Sequence, residues 1–345
     1  MTETESQSPL GDKLSEQELC PDDLLADQEA AFARDIERLH SRVSEFIEID
    51  CPACRSSRSH FHFDKYGFRF LQCEDCETIF MSPRPSPTVM ADYYSNSENY
   101  AYWATHIFPS TEAARREKIH KPWLQRVIGY CDRFNVEKGT LLEVGPGFGT
   151  FSELVVRSGC FVQCIAIEPT PEMASACRDR GIKVIERRIE DVNTQEVGYV
   201  DVLVAFEVIE HLFDPTEFLA QCRRLIGIGG LLVLSCPNGL GFDIEVLGSR
   251  ALAVDAEHVN LFNPRALSDL LSRSGFNVVD VTTPGRLDAE LVRDAALKGQ
   301  IDLHGNPFLE RVLVAEWERV GWSFQQFLAT NGLSSHMWVA AIRAE

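Results

Sequence analysis

Leu141-Leu142-Glu143-Val144-Gly145-Pro146-Gly147-Phe148-Gly149 is the stretch that decides the fold of this chain. Its apolar start reads as a strand, three alternate glycines follow, and the pattern over Phe151–Ser158 reads as a helix. Glycine accepts positive φ and carries no Cβ, so such a corner turns sharply from strand to helix and lets a ligand come close to the backbone. The spacing is G-x-G-x-G. In the dinucleotide fingerprint G-x-G-x-x-G the third glycine falls one residue later, which weighs against a nicotinamide cofactor. Taken alone, the corner also fits a tight turn that binds nothing.

Working outward, short apolar strands alternate with helices. FVQCIAIE ends at Glu168, and a helix Glu172–Arg180, KVIE (183–186) and VDVLVAF (200–206) follow. A helix Pro215–Ile226, GGLLVLSC (229–236), a helix Pro264–Ser274, FNVVDVTT (276–283) and a last strand Trp338–Arg343 complete the series. This alternation predicts an α/β fold with a doubly wound, mostly parallel seven-stranded sheet covered on both faces. Glu168 ends the second strand, where an acid is placed to accept both ribose hydroxyls of an adenosine ligand. The plainer alternative is a surface acid capping the helix after Pro169-Thr170-Pro171. Glu190 and Asp191 follow the third strand and are placed to meet an adenine edge.

E-x-G-x-G-x-G after the first strand, an acid ending the second, and VDVLVAFEVIEHLFDP at the fourth together resemble the class I S-adenosylmethionine-dependent methyltransferases, over roughly 120–283 and 336–345. The resemblance implies a Rossmann-like methyltransferase sheet with S-adenosyl-L-methionine as cofactor. It puts Gly145, Gly147 and Gly149 at the methionine and ribose parts and Glu168 on the ribose. Glu143 holds the turn or reaches the amino group through water. Glu190, Phe206 and Glu207 complete the implied cofactor set. One departure is Arg188-Ile189, where many relatives carry an acid near adenine.

Glu207-Val-Ile-Glu210-His211 falls at the carboxyl end of the fourth strand, the edge at which doubly wound sheets bind ligands. A turn of helix would point Glu207, Glu210 and His211 one way. The pattern is similar to the divalent-metal site of the ubiquinone-biosynthesis O-methyltransferases and of the small-RNA 2′-O-methyltransferases, where a further histidine completes the set. His258, in AEHVNLFNP, is its counterpart. The resemblance implies a second divalent metal at Glu207, Glu210, His211 and His258, lowering the pKa of an acceptor hydroxyl. Without a metal, His211, His258 and Glu210 are candidate catalytic groups, a histidine acting as general base, or simply pocket walls.

Upstream lies a different chemistry. Cys51, Cys54, Cys73 and Cys76 have the spacing C-x2-C-x18-C-x2-C of a zinc ribbon, with the alternating HFHFDKYGFRFLQ reading as a hairpin between the pairs. Four thiolates close a tetrahedral shell, so the zinc is expected to be structural, and His60 and His62 are expected to be strand residues rather than ligands. SPRPSP (82–87) closes the unit, and 112–134 reads as helical. From Gln28 to Asp50, Phe32, Ile36, Leu39, Val43 and Phe46 make a narrow apolar stripe, expected to dock on its own chain or to form a homodimer contact. The ribbon followed by SPRPSP and NYAYW also resembles a bacterial methyltransferase subgroup often linked to sugars and polysaccharides.

The net charge is −19, from 33 Lys+Arg against 52 Asp+Glu; residues 1–50 hold −10 of it and residues 51–345 only −9. A chain this acidic is a poor phosphate-tracking surface, so nucleic acid is a disfavoured partner, and there is no polybasic membrane patch. No apolar run approaches a membrane span, and MTETESQSPL has neither a basic nor an apolar signal region. With an odd cysteine count of 11, this predicts reduced thiols and a cytoplasmic location, most cysteines outside the ribbon being core residues.

The expected organisation is therefore an acidic disordered leader (1–27), an amphipathic helix (28–50), the ribbon (51–86), a cofactor domain (87–283 and 337–345) and an inserted substrate lid (284–336). The expected function is methyl transfer to a hydroxyl oxygen of a small acceptor, such as a sugar or nucleotide sugar. The alternatives are a non-catalytic zinc-ribbon and adenosine-binding module, and an RNA methyltransferase that grips RNA with the ribbon. Five bases against four acids over 51–86 argue against the last.

Overall fold

Seven strands form the central sheet of the computed structural model, which describes residues 14–345. They are β1 (Thr140–Val144), β2 (Gln163–Ile167), β3 (Lys183–Ile185), β4 (Val200–Phe206), β5 (Ile226–Pro237), β6 (Phe276–Thr282) and β7 (His336–Arg343). Their order is 3-2-1-4-5-7-6. β1 to β5 pair in parallel. β7 lies antiparallel between β5 and β6, so β6 runs with the first five and ends at the same edge as they do.

Both faces of the sheet are buried, as the unbroken apolar strands require. Along β4, Leu203 and Ala205 join one apolar cluster, and Val202, Val204 and Phe206 join the other. Successive side chains of a strand point to opposite faces, so one run of residues supplies both layers.

The stretch between β6 and β7 carries helices Asp288–Leu297, Pro307–Glu310 and Trp317–Thr330, with a π turn at Arg311–Ala315. A nearly continuous helix runs from Glu98 to Phe134, interrupted by π turns at Trp103–Ile107 and Arg116–His120. Each π turn comes just before a proline, Pro109 or Pro122, at the start of the next α segment. Proline lacks an N–H and collides with the carbonyl four residues back, and a widened turn lets the helix continue past it. The helix is therefore longer than the 112–134 read from the sequence.

The N-terminal part differs from the sequence expectation. Residues 1–13 of the expected leader lie outside the described residues. From Leu14 onward the chain is built in: Leu14 is buried, Glu16–Leu19 is helical, and a helix runs from Asp22 to His40. That helix starts and ends earlier than the expected 28–50, giving way to a 3-10 turn at Val43–Glu45 and an extended pair, Phe46–Ile47. Its residues Ala31, Ile36 and Leu39 are buried within this chain. Asp35 caps the long helix, accepting from Ser97 Oγ (2.6 Å), Glu98 N (3.0 Å) and Asn99 N (2.9 Å).

The ribbon is not a unit closed at residue 86. Ser59–Lys65, Phe68–Cys73 and Ile79–Met81 form its antiparallel sheet, and a fourth strand, Asn260–Leu261, comes from beyond β5. Cys51, Cys73, Cys76 and Phe80 share an apolar cluster with Leu232, Phe262 and Leu267. Some thirty residues bury too little to be stable alone, and here the larger domain supplies both an edge strand and a core. No helix among the described residues is long and apolar enough to cross a membrane.

Candidate active site

A cavity of about 3020 Å³ opens at the carboxyl ends of β1, β2 and β4. Pockets for single small ligands usually hold roughly 300–1,000 Å³, so this space accommodates a cofactor and an acceptor together. The long helix 98–134, parts of the segment between β6 and β7 (Gly285 to Leu291 and Ala329 to Ser335) and the N-terminal helices line its other walls.

The glycine corner forms one wall. Gly145 (φ +69°) donates its N–H to Ile167 O at 3.0 Å, and a Cβ on it would lie 2.8 Å from Val208 Cγ2. Gly147 (φ +53°) lines the cavity with nothing within 4 Å of where a Cβ would stand, which leaves bare backbone for a ligand. Gly149 instead abuts Ile182 and Cys177 and starts the helix Thr150–Ser158. Glu143 is buried beneath the corner and accepts from Ser152 Oγ on that helix. Burial raises its carboxyl to about 7, against the lowering effect of the Ser152 bonds, and Glu168 adds to the rise. It lines no part of the cavity and braces the turn from behind.

Glu168 and Glu190 both line the cavity. Glu168 follows β2 directly and is 4% exposed; one oxygen accepts from Thr170 N at 2.9 Å, and burial holds its carboxyl above the ordinary range. Ile189, beside Glu190, adds an apolar contact surface. Phe206 is placed differently from the cofactor role expected of it. It packs on Trp123, Phe151 and Trp338 in the core, because the alternation along β4 turns it to that face.

The E-x-x-E-H segment does not act as one unit. Glu210, His211 and His258 each bring a ligand atom within 4.8 Å of the others. Glu207 is drawn out of that group. It sits at φ +54°, where a non-glycine residue is unusual, and accepts from Ser235 Oγ (2.6 Å) and His336 Nε2 (3.0 Å). Its side chain is 39% exposed, toward the cavity it lines. Burial opposes its charge, but His336 and Ser235 outweigh burial and hold the carboxyl down at about 2. The four-ligand set thus becomes three, since a strand end and the following 3-10 turn Ile209–His211 do not share the face that a helix would provide.

Glu210 is fully buried, and neither of its oxygens has a hydrogen-bond partner among the described residues. Burial, and then the neighbouring Glu207, push its carboxyl well above the ordinary range. His258 donates from Nδ1 to Ala253 O at 2.9 Å, which leaves Nε2 as the ligating nitrogen. His211 Nδ1 lies 3.2 Å from the Tyr94 hydroxyl. Burial and then His258 keep His211 neutral, at about 3. Burial disfavours charge on His258 too, but Asp255, the Ala253 carbonyl and Glu257 raise it. An orphaned buried carboxyl beside two oriented imidazoles is a donor set suited to a divalent cation.

The four ribbon cysteines also meet. Cys51 and Cys76 Sγ are 3.5 Å apart, as are Cys54 and Cys73 Sγ, and all four lie within 4.8 Å of one another. Thiolates at roughly 2.3 Å from a tetrahedral zinc stand roughly 3.8 Å apart, so the set fits that ion. His60 and His62 lie on an exposed strand outside the cluster.

Several residues of the site gave no signal in the sequence. Tyr93 and Tyr100 donate to Glu257 at 2.6 and 2.8 Å, fixing the segment that carries His258. His336 opens β7 in a parallel stack with Trp123. Strand and helix patterns predict elements, not such pairings across the fold.

A family model described as a methyltransferase domain matches residues 113–281. A "Ubiquinone biosynthesis O-methyltransferase" of Xanthomonas euvesicatoria is 31% identical over 163 residues, 44% of this chain and 67% of that protein. A "Probable S-adenosylmethionine-dependent methyltransferase" of Mycobacterium tuberculosis is 30% identical over 178 residues, 51% of this chain and 60% of that one. The chain spans between about half and two thirds of the length of the first such relatives. A solved S-adenosylmethionine-dependent methyltransferase from Clostridium acetobutylicum is 12% identical with a TM-score of 0.46, covering 71% of this chain and 99% of that one.

Proposed function

The chain belongs to the class I S-adenosylmethionine-dependent methyltransferases, and from that membership we propose that it methylates a hydroxyl oxygen of a small, sugar-like acceptor. The observation that carries this reading is the position of Glu210, His211 and His258. The two histidines line the same cavity as Gly145, Gly147 and Glu168, with the unpartnered Glu210 buried beside them. An oxygen acceptor needs its proton taken or its pKa lowered, and these are the groups able to do either. The ubiquinone-biosynthesis relative, named as an O-methyltransferase, supports the oxygen reading.

Methyl transfer from a sulfonium is a direct displacement, so the protein's main work is to align two reactants and exclude water. Gly147 gives the cofactor bare backbone, and Glu168 offers its remaining oxygen to the ribose. Glu207, pinned by Ser235 and His336, places a fixed negative charge near the reacting centre. Neutral His211 is in the state that ligates a metal. A divalent cation held by Glu210, His211 and His258 would make a bound hydroxyl more acidic. Zinc on Cys51, Cys54, Cys73 and Cys76 would serve structure, since four thiolates leave no open position.

The test is release of S-adenosylhomocysteine across a panel of sugars, nucleotide sugars, glycans and small phenols, with Mg²⁺ or Mn²⁺ and with EDTA. Cation-dependent turnover on a hydroxyl acceptor is the expected result. Tight cofactor binding without turnover on any acceptor would replace this reading with an adenosine-binding module.

A further inference from the structure

We infer that Arg84, in the segment closing the ribbon, is a positioning residue for the loops that carry Glu210, His211 and His258. Its side chain is completely buried. Among the described residues it meets no carboxylate within ion-pair distance, and its hydrogen bonds all go to backbone carbonyls. Nε donates to Met81 O at 3.1 Å, within the ribbon. Nη2 donates to Val259 O at 2.9 Å, the residue after His258. Nη1 reaches Phe213 O at 3.4 Å and Leu212 O at 3.5 Å, directly after His211. One planar fork thus ties the ribbon to both segments that make the histidine and glutamate site.

A second set of bonds runs parallel to the first. Asn260 Nδ2 donates to Ile209 O (3.3 Å), Glu210 O (3.3 Å) and Leu212 O (2.8 Å). Asn260 itself belongs to the ribbon's fourth strand, and Met81 N donates to Val259 O at 3.0 Å. The ribbon sheet therefore sets the height of His258, and Arg84 with Asn260 sets the His211 turn against it.

The guanidinium suits this task because its five donors are fixed in a plane, so the carbonyls it bonds must take fixed relative positions. A lysine ammonium keeps the charge and gives up the fork. The carbonyls it bonds lie on three separate segments, so their relative positions depend on this one side chain. The inference also gives the ribbon a role in this enzyme: it is the frame against which the reacting edge is aligned. The turnover arm of the test below rests on the methyl-transfer reading, and the spectroscopic arm does not.

The experiment uses the full-length zinc-loaded protein with Arg84→Lys and Arg84→Gln. Zinc content and cofactor affinity by calorimetry are measured first, then the imidazole ¹⁵N resonances of His211 and His258, assigned with His211→Gln and His258→Gln. The expected result is unchanged zinc, cofactor Kd within about twofold, displaced resonances of both histidines, and kcat lowered about tenfold or more with little change in cofactor KM. Unchanged histidine resonances in a folded variant would overturn the inference. So would loss of zinc or of the fold in both variants, which would make Arg84 a structural residue only. A wild-type protein that turns over no acceptor would overturn the methyl-transfer reading and leave the spectroscopic result standing.

Discussion

Replacing Glu143 with glutamine should change how stability depends on pH. Glu143 lies buried under the glycine corner, held by Ser152, and its carboxyl is raised from 4.5 to about 7, mainly by burial. Between those two values the unfolded chain has released this proton and the folded chain still holds it. Fewer protons on the unfolded state mean that stability falls as pH rises through this window. At about 1.4 kcal/mol per pH unit the loss is on the order of 3 kcal/mol, complete just above pH 7. The glutamine side chain keeps an acceptor for Ser152 and has no proton to lose. Its extra buried N–H carries a cost at every pH, so the level of stability is not diagnostic and the slope is. Urea denaturation followed by tryptophan fluorescence from pH 5 to pH 8 measures it. Glu143→Gln should gain on wild type by about 2–3 kcal/mol across that range, levelling off above pH 7. Parallel pH profiles for the two proteins would refute the assignment of a raised pKa to this carboxyl.

Other outcomes follow from the same geometry. Glu168→Ala should weaken S-adenosylmethionine binding about 10- to 100-fold by calorimetry, since one hydrogen bond to a charged acceptor contributes about 1.5–3 kcal/mol; a change within twofold would remove Glu168 from the ribose site. Glu210→Gln should lower Mn²⁺ affinity, read by electron paramagnetic resonance, at least about tenfold, while Glu207→Gln leaves it nearly unchanged. Equal effects would restore Glu207 to the ligand set. Cys73→Ser should lose stoichiometric zinc and lower the melting temperature, and full zinc retention would refute the four-cysteine assignment. Glu18 pairs with Lys118, which lines the cavity. This pair is partly solvated, so Glu18→Gln should lower folding stability by no more than about 1 kcal/mol, measured by urea denaturation; a larger loss would show the pair to be more than a surface contact.

How far the sequence can be read varies with the range of the interactions involved. The central strands are legible because both faces of the sheet are buried and most strands are continuous apolar runs. The 98–134 helix reads short because Pro109 signals a break ahead of residue 112, and a π turn carries the helix past it. Charge alone makes the leader read as disordered. Yet Leu14 is buried and Glu18 finds Lys118, a partner a hundred residues away that no local pattern reports.

The sequence by itself determined the doubly wound sheet, the cofactor corner and the cysteine cluster. Each is encoded by spacing along a few neighbouring residues: apolar strand runs, glycines that permit positive φ, and C-x-x-C pairs. Only the tertiary structure decided which members of E-x-x-E-H act together. Glu207 is claimed by Ser235 and His336 from β5 and β7, and Glu210 is left unpartnered between His211 and His258. The tertiary structure likewise gave the ribbon its fourth strand and set Arg84 between the ribbon and the site. Those choices depend on which distant segments the packed sheet brings to one edge, and spacing along the chain carries no record of that distance.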